Sequence, residues 1–225
     1  MHVRGRLIKT GVLLTIALVL CITSATTNRV SAVAADYMED SKKIAITFDD
    51  GPHPYYTEQL LDGLKERGGV KATFFVTGMH VEQYPEVIRR MSSEGHLIGN
   101  HTYSHIQLSN RNSDAFKQEL IQTNEVIEEV TGQEVQYVRP PYGTWDKKFE
   151  KELNMFPVLW TIDPLDWCSD NVANIVQKVT SKAQENSIIL MHDEYKSTVT
   201  AALQIIDELM EQGYEFVTVD ELLFD

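Results

Sequence analysis

Cysteine and positive charge are both scarce in this 225-residue sequence. Two cysteines are too few to build the disulfide framework of a small secreted domain. One of them, Cys168, follows Trp167, and we expect its thiol to be buried and without a catalytic role. The 20 lysines and arginines are outnumbered by 33 aspartates and glutamates, which gives a net charge of −13. Because nucleic-acid binding usually depends on a basic face, we expect no nucleic-acid partner.

The overall composition excludes several further classes of chain. Apolar residues make up 43% of the sequence and charged residues 24%, close to the averages for soluble globular proteins. These values exclude a disordered chain, a collagen, a coiled-coil rod and a polytopic membrane protein. The length corresponds to one domain, with little left over for a second.

Residues 1–34 have the pattern of an export signal. Basic residues up to Lys9 precede an apolar run over residues 11–25, and the Ala-Val-Ala of residues 32–34 offers a cleavage site. The run of about 15 residues is short for a spanning helix, which needs about 20. We therefore expect a cleaved signal and a secreted or cell-wall-associated protein. An uncleaved signal would instead anchor the chain in a membrane.

Apolar runs of strand type alternate with amphipathic runs of helical type in the rest of the chain. Residues 35–43 form a polar lead-in, and residues 44–225 form a single folded domain in this interpretation. Strands are predicted at 44–48, 72–76, 96–99, 137–138, 157–162, 187–191 and 215–219, and helices at 57–67, 85–94, 113–130, 146–153, 172–184 and 199–211. This alternation favours parallel strands covered by helices, either closed into a barrel or open and doubly wound. Both architectures collect the residues that follow the strands at one rim, where active sites form.

The first polar loop contains two adjacent carboxylates, Asp49 and Asp50, at the end of a predicted strand. Neighbouring side chains of a strand point in opposite directions, so one carboxylate can bind a metal ion while the other handles a proton. The following Gly51-Pro52 also makes this segment a good turn, and the residues alone leave the two interpretations equal.

The second polar loop contains His101 and His105, which are four residues apart. In a helical turn this spacing places both imidazoles on one side, at about the separation that one cation needs. Such a pair is also common on an ordinary polar surface. Together with Asp50, however, it makes a set of three ligands with open positions, which is typical of catalytic rather than structural zinc.

Two later segments add an arginine and a further histidine. Arg139 precedes two prolines and could clamp a carboxylate, although a salt bridge elsewhere explains it equally well. His192 ends an apolar strand, where a histidine is usually a satisfied core residue. With a carboxylate nearby it can instead be a proton donor, because the carboxylate favours the imidazolium form.

Five segments, in this order, resemble the motifs of the polysaccharide deacetylases, the NodB-homology or carbohydrate esterase family 4 group. They are T-F-D-D-G-P at 47–52, H-T-Y-S-H at 101–105, R-P-P-Y at 139–142, D-P-L-D-W at 163–167 and L-M-H at 190–192. The similarity extends over about residues 44–219. It implies a distorted (β/α)7 barrel and a metal-dependent deacetylase.

The resemblance also implies a role for each motif residue. Asp49 is the expected catalytic base and is held by Arg139, while His192 is the expected general acid and is tuned by Asp163. The expected metal ligands are Asp50, His101 and His105, with Zn²⁺ as the first choice and Co²⁺ or Ni²⁺ as alternatives. The expected substrate-binding residues are Trp167 and Leu190, which line a pocket for the acetyl methyl, and Tyr142, whose backbone N–H helps to hold the oxyanion.

The substrate implied by the resemblance is an acetylated polysaccharide or oligosaccharide outside the cell. We expect N-acetylglucosamine units of peptidoglycan first, chitooligosaccharides second and acetylated xylan, an O-deacetylation, third. A monomer without a dedicated protein partner is expected. One competing hypothesis is a catalytically silent glycan-binding barrel. Another is a phosphatase with an aspartyl nucleophile, which needs a second Asp at position 51, where this chain has Gly.

Overall fold

A computed structural model describes residues Lys42–Phe224, and the predicted export signal and most of the lead-in lie outside this range. Seven strands lie within it: β1 (Lys42–Asp49), β2 (Thr73–Val76), β3 (Leu97–Asn100), β4 (Tyr137–Val138), β5 (Phe156–Pro157), β6 (Ile188–His192) and β7 (Tyr214–Phe216). Eight α-helices accompany them: α1 (Tyr56–Glu66), α2 (Gly78–Gln83), α3 (Pro85–Ser93), α4 (Ser113–Thr131), α5 (Lys148–Leu153), α6 (Val172–Thr180), α7 (Lys196–Glu211) and α8 (Val219–Phe224).

All strand pairs in this range are parallel. The strand order is β5-β4-β3-β2-β1-β6, and β7 pairs with the first residues of β1. Beyond β5, Ile162 forms a parallel bridge with Ile189 of β6. This bridge brings the far edge of the sheet back to β6 and closes the ring of strands, which makes the architecture a distorted (β/α)7 barrel.

The central strand β1 is buried on both of its faces, as a parallel strand covered by helices should be. Its even-numbered residues Ile44, Ile46 and Phe48 pack in the large apolar cluster that the helices cover. Ala45 belongs to a separate small cluster inside the ring. Because side chains alternate along a strand, Thr47 and Asp49 point into the ring with Ala45.

Several helices end where the sequence supplies a residue that tolerates a left-handed backbone. Gly132 follows α4 with a φ of 70°, and its N–H donates to the carbonyl of Glu128, which closes the last turn. The bounds of α4 differ by one residue from the predicted 113–130.

Several elements of the structure differ from the predictions. Helix α2 was not predicted, because its six residues are too few to show a periodic pattern. The predicted strand at 157–162 is only a two-residue strand followed by the bridge at Ile162. The predicted strand at 215–219 ends at Phe216, and the helix α8 begins at Val219, since a short apolar run does not separate a strand from a buried helix.

The expectation that Cys168 is buried is wrong. Its thiol is exposed in a short 3₁₀ turn, and the neighbouring Trp167 is 54% exposed rather than packed in the core. Between Lys42 and Phe224, no helix has the length and apolar character needed to cross a membrane.

Candidate active site

The loops at the carboxyl ends of the strands surround a cavity of about 430 Å³. Nine of the ten site residues predicted from the sequence line this cavity: Asp49, Asp50, His101, His105, Tyr142, Asp163, Trp167, Leu190 and His192. The tenth, Arg139, is fully buried beside Asp49. A second cavity of about 540 Å³ lies between residues 108–113 and 144–148, but it lacks this set of metal-binding and proton-transferring groups.

Asp50, His101 and His105 offer three ligand atoms that all lie within 4.8 Å of one another. Asp50 Oδ1 lies 3.2 Å from His101 Nε2 and 3.3 Å from His105 Nε2. One carboxylate and two imidazoles with room for further ligands form the donor set of a catalytic divalent metal centre.

The environment of the three side chains fits a bound cation. Asp50 Oδ1 is buried and has no hydrogen-bond partner within Lys42–Phe224, although buried polar atoms are normally satisfied. His101 Nδ1 lies 2.6 Å from the carbonyl oxygen of Arg139, and a proton on Nδ1 that donates to this oxygen leaves Nε2 free to bind a metal. Burial alone would raise the pKa of Asp50, but the adjacent His101 and the charge of His105 lower it to about 2.

Asp49 is held by a buried arginine. Arg139 Nη1 donates to Asp49 Oδ1 at 2.8 Å and to Thr47 Oγ1 at 2.6 Å. Its Nε and Nη2 donate to the carbonyl oxygens of Val158 and Leu159, and its guanidinium lies 4.3 Å from the centre of a phenylalanine ring. This network fixes the Asp49 carboxylate, whose Oδ2 lies 3.9 Å from His101 Nε2.

His192 ends β6 directly opposite Asp49 in the register of β1 and β6. Its Nδ1 lies 3.0 Å from Asp166 Oδ1, and its backbone N–H donates to Asp166 Oδ2. Thr198 also donates to Asp166 Oδ2, so this buried carboxylate is fully engaged. Asp166 therefore sets the orientation of the His192 ring.

This contact corrects the predicted partner of His192, which was Asp163. Asp163 lines the cavity, but its carboxylate accepts the backbone N–H of Leu165 at 2.7 Å and stabilises its own loop. The D-P-L-D spacing contains two candidate carboxylates, and the sequence carried no signal that distinguished Asp166 from Asp163.

The pKa of His192 favours a proton donor. Burial disfavours the charged ring, but the hydrogen bond and charge of Asp166, with the charges of Asp49 and Asp50, raise its pKa to about 9. His192 is therefore protonated near neutral pH in this environment. A protonated histidine opposite a fixed carboxylate is the arrangement expected of an acid and base pair.

The predicted substrate-binding residues form the walls of the cavity. Leu190 is buried, Trp167 is half exposed, and the exposed Tyr142 packs edge-on against the His105 ring at 5.2 Å. Trp160 and Tyr195 also line the cavity, although the sequence did not predict them as site residues. Each lies three residues from a motif, and this proximity is the signal that could have identified them.

Unfavourable backbone geometry is concentrated around the cavity. Five of the seven non-glycine residues with positive φ in the described range lie in its loops: Asp50, Thr102, His105, Tyr142 and Leu165. Such residues cost on the order of 1–3 kcal/mol each and persist where the surroundings fix them. The loops are therefore held in defined conformations by their contacts.

The fold and this centre together define a barrel enzyme with a metal-binding triad beside an acid and base pair. The chain belongs to the polysaccharide deacetylase family, whose model matches residues 36–158. It is 42% identical over 183 residues to the peptidoglycan-N-acetylmuramic acid deacetylase PdaC of Bacillus subtilis. It is 39% identical over 182 residues to the peptidoglycan-N-acetylglucosamine deacetylase PgdA of Listeria monocytogenes. Each match covers 81% of this chain, and this chain spans 39% of the length of each of these two relatives.

A solved structure confirms the predicted fold. The structure of PdaC from Bacillus subtilis superposes with a TM-score of 0.77 at 41% sequence identity. The superposition covers 81% of this chain and 90% of that chain. The predicted family and the predicted distorted barrel are both confirmed.

Proposed function

We propose that this protein hydrolyses acetamido groups on N-acetylglucosamine units of peptidoglycan, with a divalent metal ion as cofactor. The observation that carries the proposal is a single cavity that holds the Asp50, His101 and His105 triad together with Asp49 and His192. Family membership supports the reaction class. The names of the two relatives support peptidoglycan as the polymer.

The metal ion would be held by Asp50, His101 and His105, and we propose Zn²⁺ because it suits one carboxylate and two imidazoles. A divalent cation at this site would lower the pKa of a bound water molecule and polarise the carbonyl group of the substrate. Co²⁺ and Ni²⁺ suit the same ligands and are the alternatives.

Asp49 and His192 carry the proton transfers in this proposal. Asp49, fixed by Arg139, accepts the proton of the attacking water as its oxygen bonds to the acetyl carbon. His192 donates its proton to the amide nitrogen as the C–N bond breaks. The products are acetate and a glucosamine unit, and the proton taken up by Asp49 balances the one that His192 gives away.

Other residues of the site position the acetamide and the proton donor. The backbone N–H of Tyr142 would donate to the developing oxyanion. Trp167 and Leu190 offer apolar surface in the cavity for the acetyl methyl group. Asp166 keeps the His192 ring oriented toward the leaving nitrogen.

We propose that the protein acts outside the cytoplasm as a secreted or cell-wall-associated monomer. The basic start, the apolar run and the Ala-Val-Ala site within residues 1–34 support export. Peptidoglycan lies outside the cell membrane, so the proposed location and the proposed substrate agree.

The test is acetate release by the purified protein from peptidoglycan, chitooligosaccharides and acetylated xylan, each with added Zn²⁺ or with EDTA. EDTA-sensitive release from peptidoglycan supports the proposal. Release from xylan alone would replace it with an O-deacetylase. One equivalent of bound metal without any acetate release would favour a silent glycan-binding barrel.

A further inference from the structure

Asp193, which follows His192, is a buried carboxylate that the proposed reaction does not use. Its side chain is completely buried. The hydroxyl of Thr57 donates to Asp193 Oδ2, and Asp193 Oδ1 has no hydrogen-bond partner within the described chain. Burying a carboxylate without full hydrogen bonding is costly, so this placement needs a physical reason.

The reason lies in the contact between Asp193 and Gly51. A Cβ atom added to Gly51 would lie 2.4 Å from Asp193 Oδ1 and 2.8 Å from Oδ2. The φ of Gly51 is not in the left-handed region, so its backbone conformation does not require glycine. Gly51 is needed here because the carboxylate of Asp193 occupies the space of its missing side chain.

This contact bears on the metal ligand Asp50, the neighbour of Gly51. Asp50 has a φ of 74°, a strained conformation for a residue with a side chain. On one side, His80 Nδ1 lies 2.8 Å from the carbonyl oxygen of Asp50, and Thr77 Oγ1 donates to the same oxygen. The carboxylate of Asp193 confines the peptide from the Gly51 side.

We propose that Asp193 is a positioning residue for the metal centre: its carboxylate packs against Gly51 and thereby holds Asp50 in the conformation that aims Oδ1 at His101 and His105. Thr57 keeps the Asp193 carboxylate in place through its hydrogen bond. Since Asp193 adjoins His192, the same contact also fixes the metal-binding loop relative to the end of β6. The inference rests on the proposed metal site and adds a residue outside the five motifs.

The proposal is tested by the Zn²⁺ affinity of metal-free protein, measured by competition with a chromogenic chelator. Asp193→Ala should weaken Zn²⁺ binding by about 10–100-fold, the usual effect of losing a residue that supports a metal ligand. Asp193→Asn keeps the shape of the side chain and, because the contact is steric, should avoid the loss of about 10–100-fold expected when a supporting residue is removed. The absorption spectrum of the Co²⁺-loaded protein should change in the alanine variant and be preserved in the asparagine variant.

A substitution at Gly51 tests the same contact through the other residue that forms it. Gly51→Ala should also weaken Zn²⁺ binding, because its methyl group displaces the Asp193 carboxylate. In an Asp193→Ala background the same change should cause little further loss, since the space is then free. If Asp193→Ala does not fold, the affinity of folded Gly51→Ala decides the question.

Asp220→Ala is the matched control, because Asp220 also has a buried carboxylate oxygen without a hydrogen-bond partner but lies in α8, outside the cavity. It should bind Zn²⁺ like the wild type. Wild-type affinity in a folded Asp193→Ala or Gly51→Ala variant, or fully additive losses in the double variant, would overturn the proposal. Failure of the wild type to bind metal would instead overturn the proposed function.

Discussion

The loops at the end of β1 and after β5 each contain two carboxylates close to the same cavity, yet they organise them in different ways. In the first loop, Asp49 pairs with Arg139 and the adjacent Asp50 faces the two histidines. In the second loop, Asp163 stabilises its own backbone, and Asp166 reaches back to His192. The first division of roles was predicted from the sequence, and the second was assigned to the wrong residue.

The difference follows from how far each carboxylate lies from regular structure. Asp49 is the last residue of β1, and strand alternation directs it into the barrel with Thr47. Asp163 and Asp166 lie beyond the last strand contact at Ile162, and Leu165 between them has a left-handed backbone conformation. Periodicity therefore predicts side-chain direction in the first loop and does not apply in the second.

The largest effect is expected from His101→Ala, which removes one of the three proposed metal ligands. Zn²⁺ affinity should fall by more than about 100-fold, beyond the loss caused by a supporting residue. Acetate release should fall to background. Equilibrium dialysis with metal analysis checks the first result and an acetate assay the second.

The matched control for this variant is His96→Ala. His96 is also buried, immediately before β3, but its ring packs against Phe74 rather than lining the cavity. This variant should lose stability and keep its metal. Equal metal loss in both variants would show that His101→Ala acts through the fold and not through ligation.

Asp49→Asn should have the next largest effect. Loss of a general base lowers the rate by about 10²–10⁴-fold, and the metal should stay bound because Asp50 and the histidines are intact. Steady-state kinetics and metal content check both parts. Near-normal turnover in this variant would mean that Asp49 is not the base.

Asp166→Asn tests, through the pH dependence of activity, whether Asp166 rather than Asp163 is the partner of His192. The proton donor is the charged form of His192, so activity should fall as the pH rises through its pKa, which is raised to about 9. Removing the Asp166 charge lowers that pKa, and the alkaline limb of the rate profile should move to lower pH by about one unit or more. Asp163→Asn should leave the limb in place. A shift in the Asp163 variant alone would restore the original assignment.

The smallest effect is expected from Leu165→Gly in the second loop. Glycine relieves a positive φ but also loosens the unfolded chain, so the stability should change by less than about 1 kcal/mol. Urea unfolding measures this change, and Leu165→Ala, which keeps the strain, should be the less stable of the two variants. A loss above about 2 kcal/mol would show that side-chain packing holds this loop.

Much of the fold was accessible from sequence because buried parallel strands and amphipathic helices leave periodic patterns. The α4 helix and the β1 strand were placed within two residues of their observed ends. The short α2 helix and the junction before α8 were missed, since a few apolar residues carry no period.

The candidate site was predictable where a residue belongs to a sequence motif and the adjoining strand sets the direction of its side chain. Asp193 and Asp166 were not assigned, because their roles depend on contacts between distant parts of the chain. Asp193 meets Gly51 across two strand ends, and Asp166 meets His192 across a loop without regular structure. Such contacts are decided by tertiary packing and leave no local pattern.

The central claim is that the triad of Asp50, His101 and His105 binds one metal ion on which deacetylation depends. The most direct measurement is a titration of metal-free protein with Zn²⁺ while acetate release from peptidoglycan is followed. We predict no release without metal, a linear rise on addition and saturation at one equivalent. Acetate release that is independent of metal, or no release at saturating Zn²⁺, would contradict the claim.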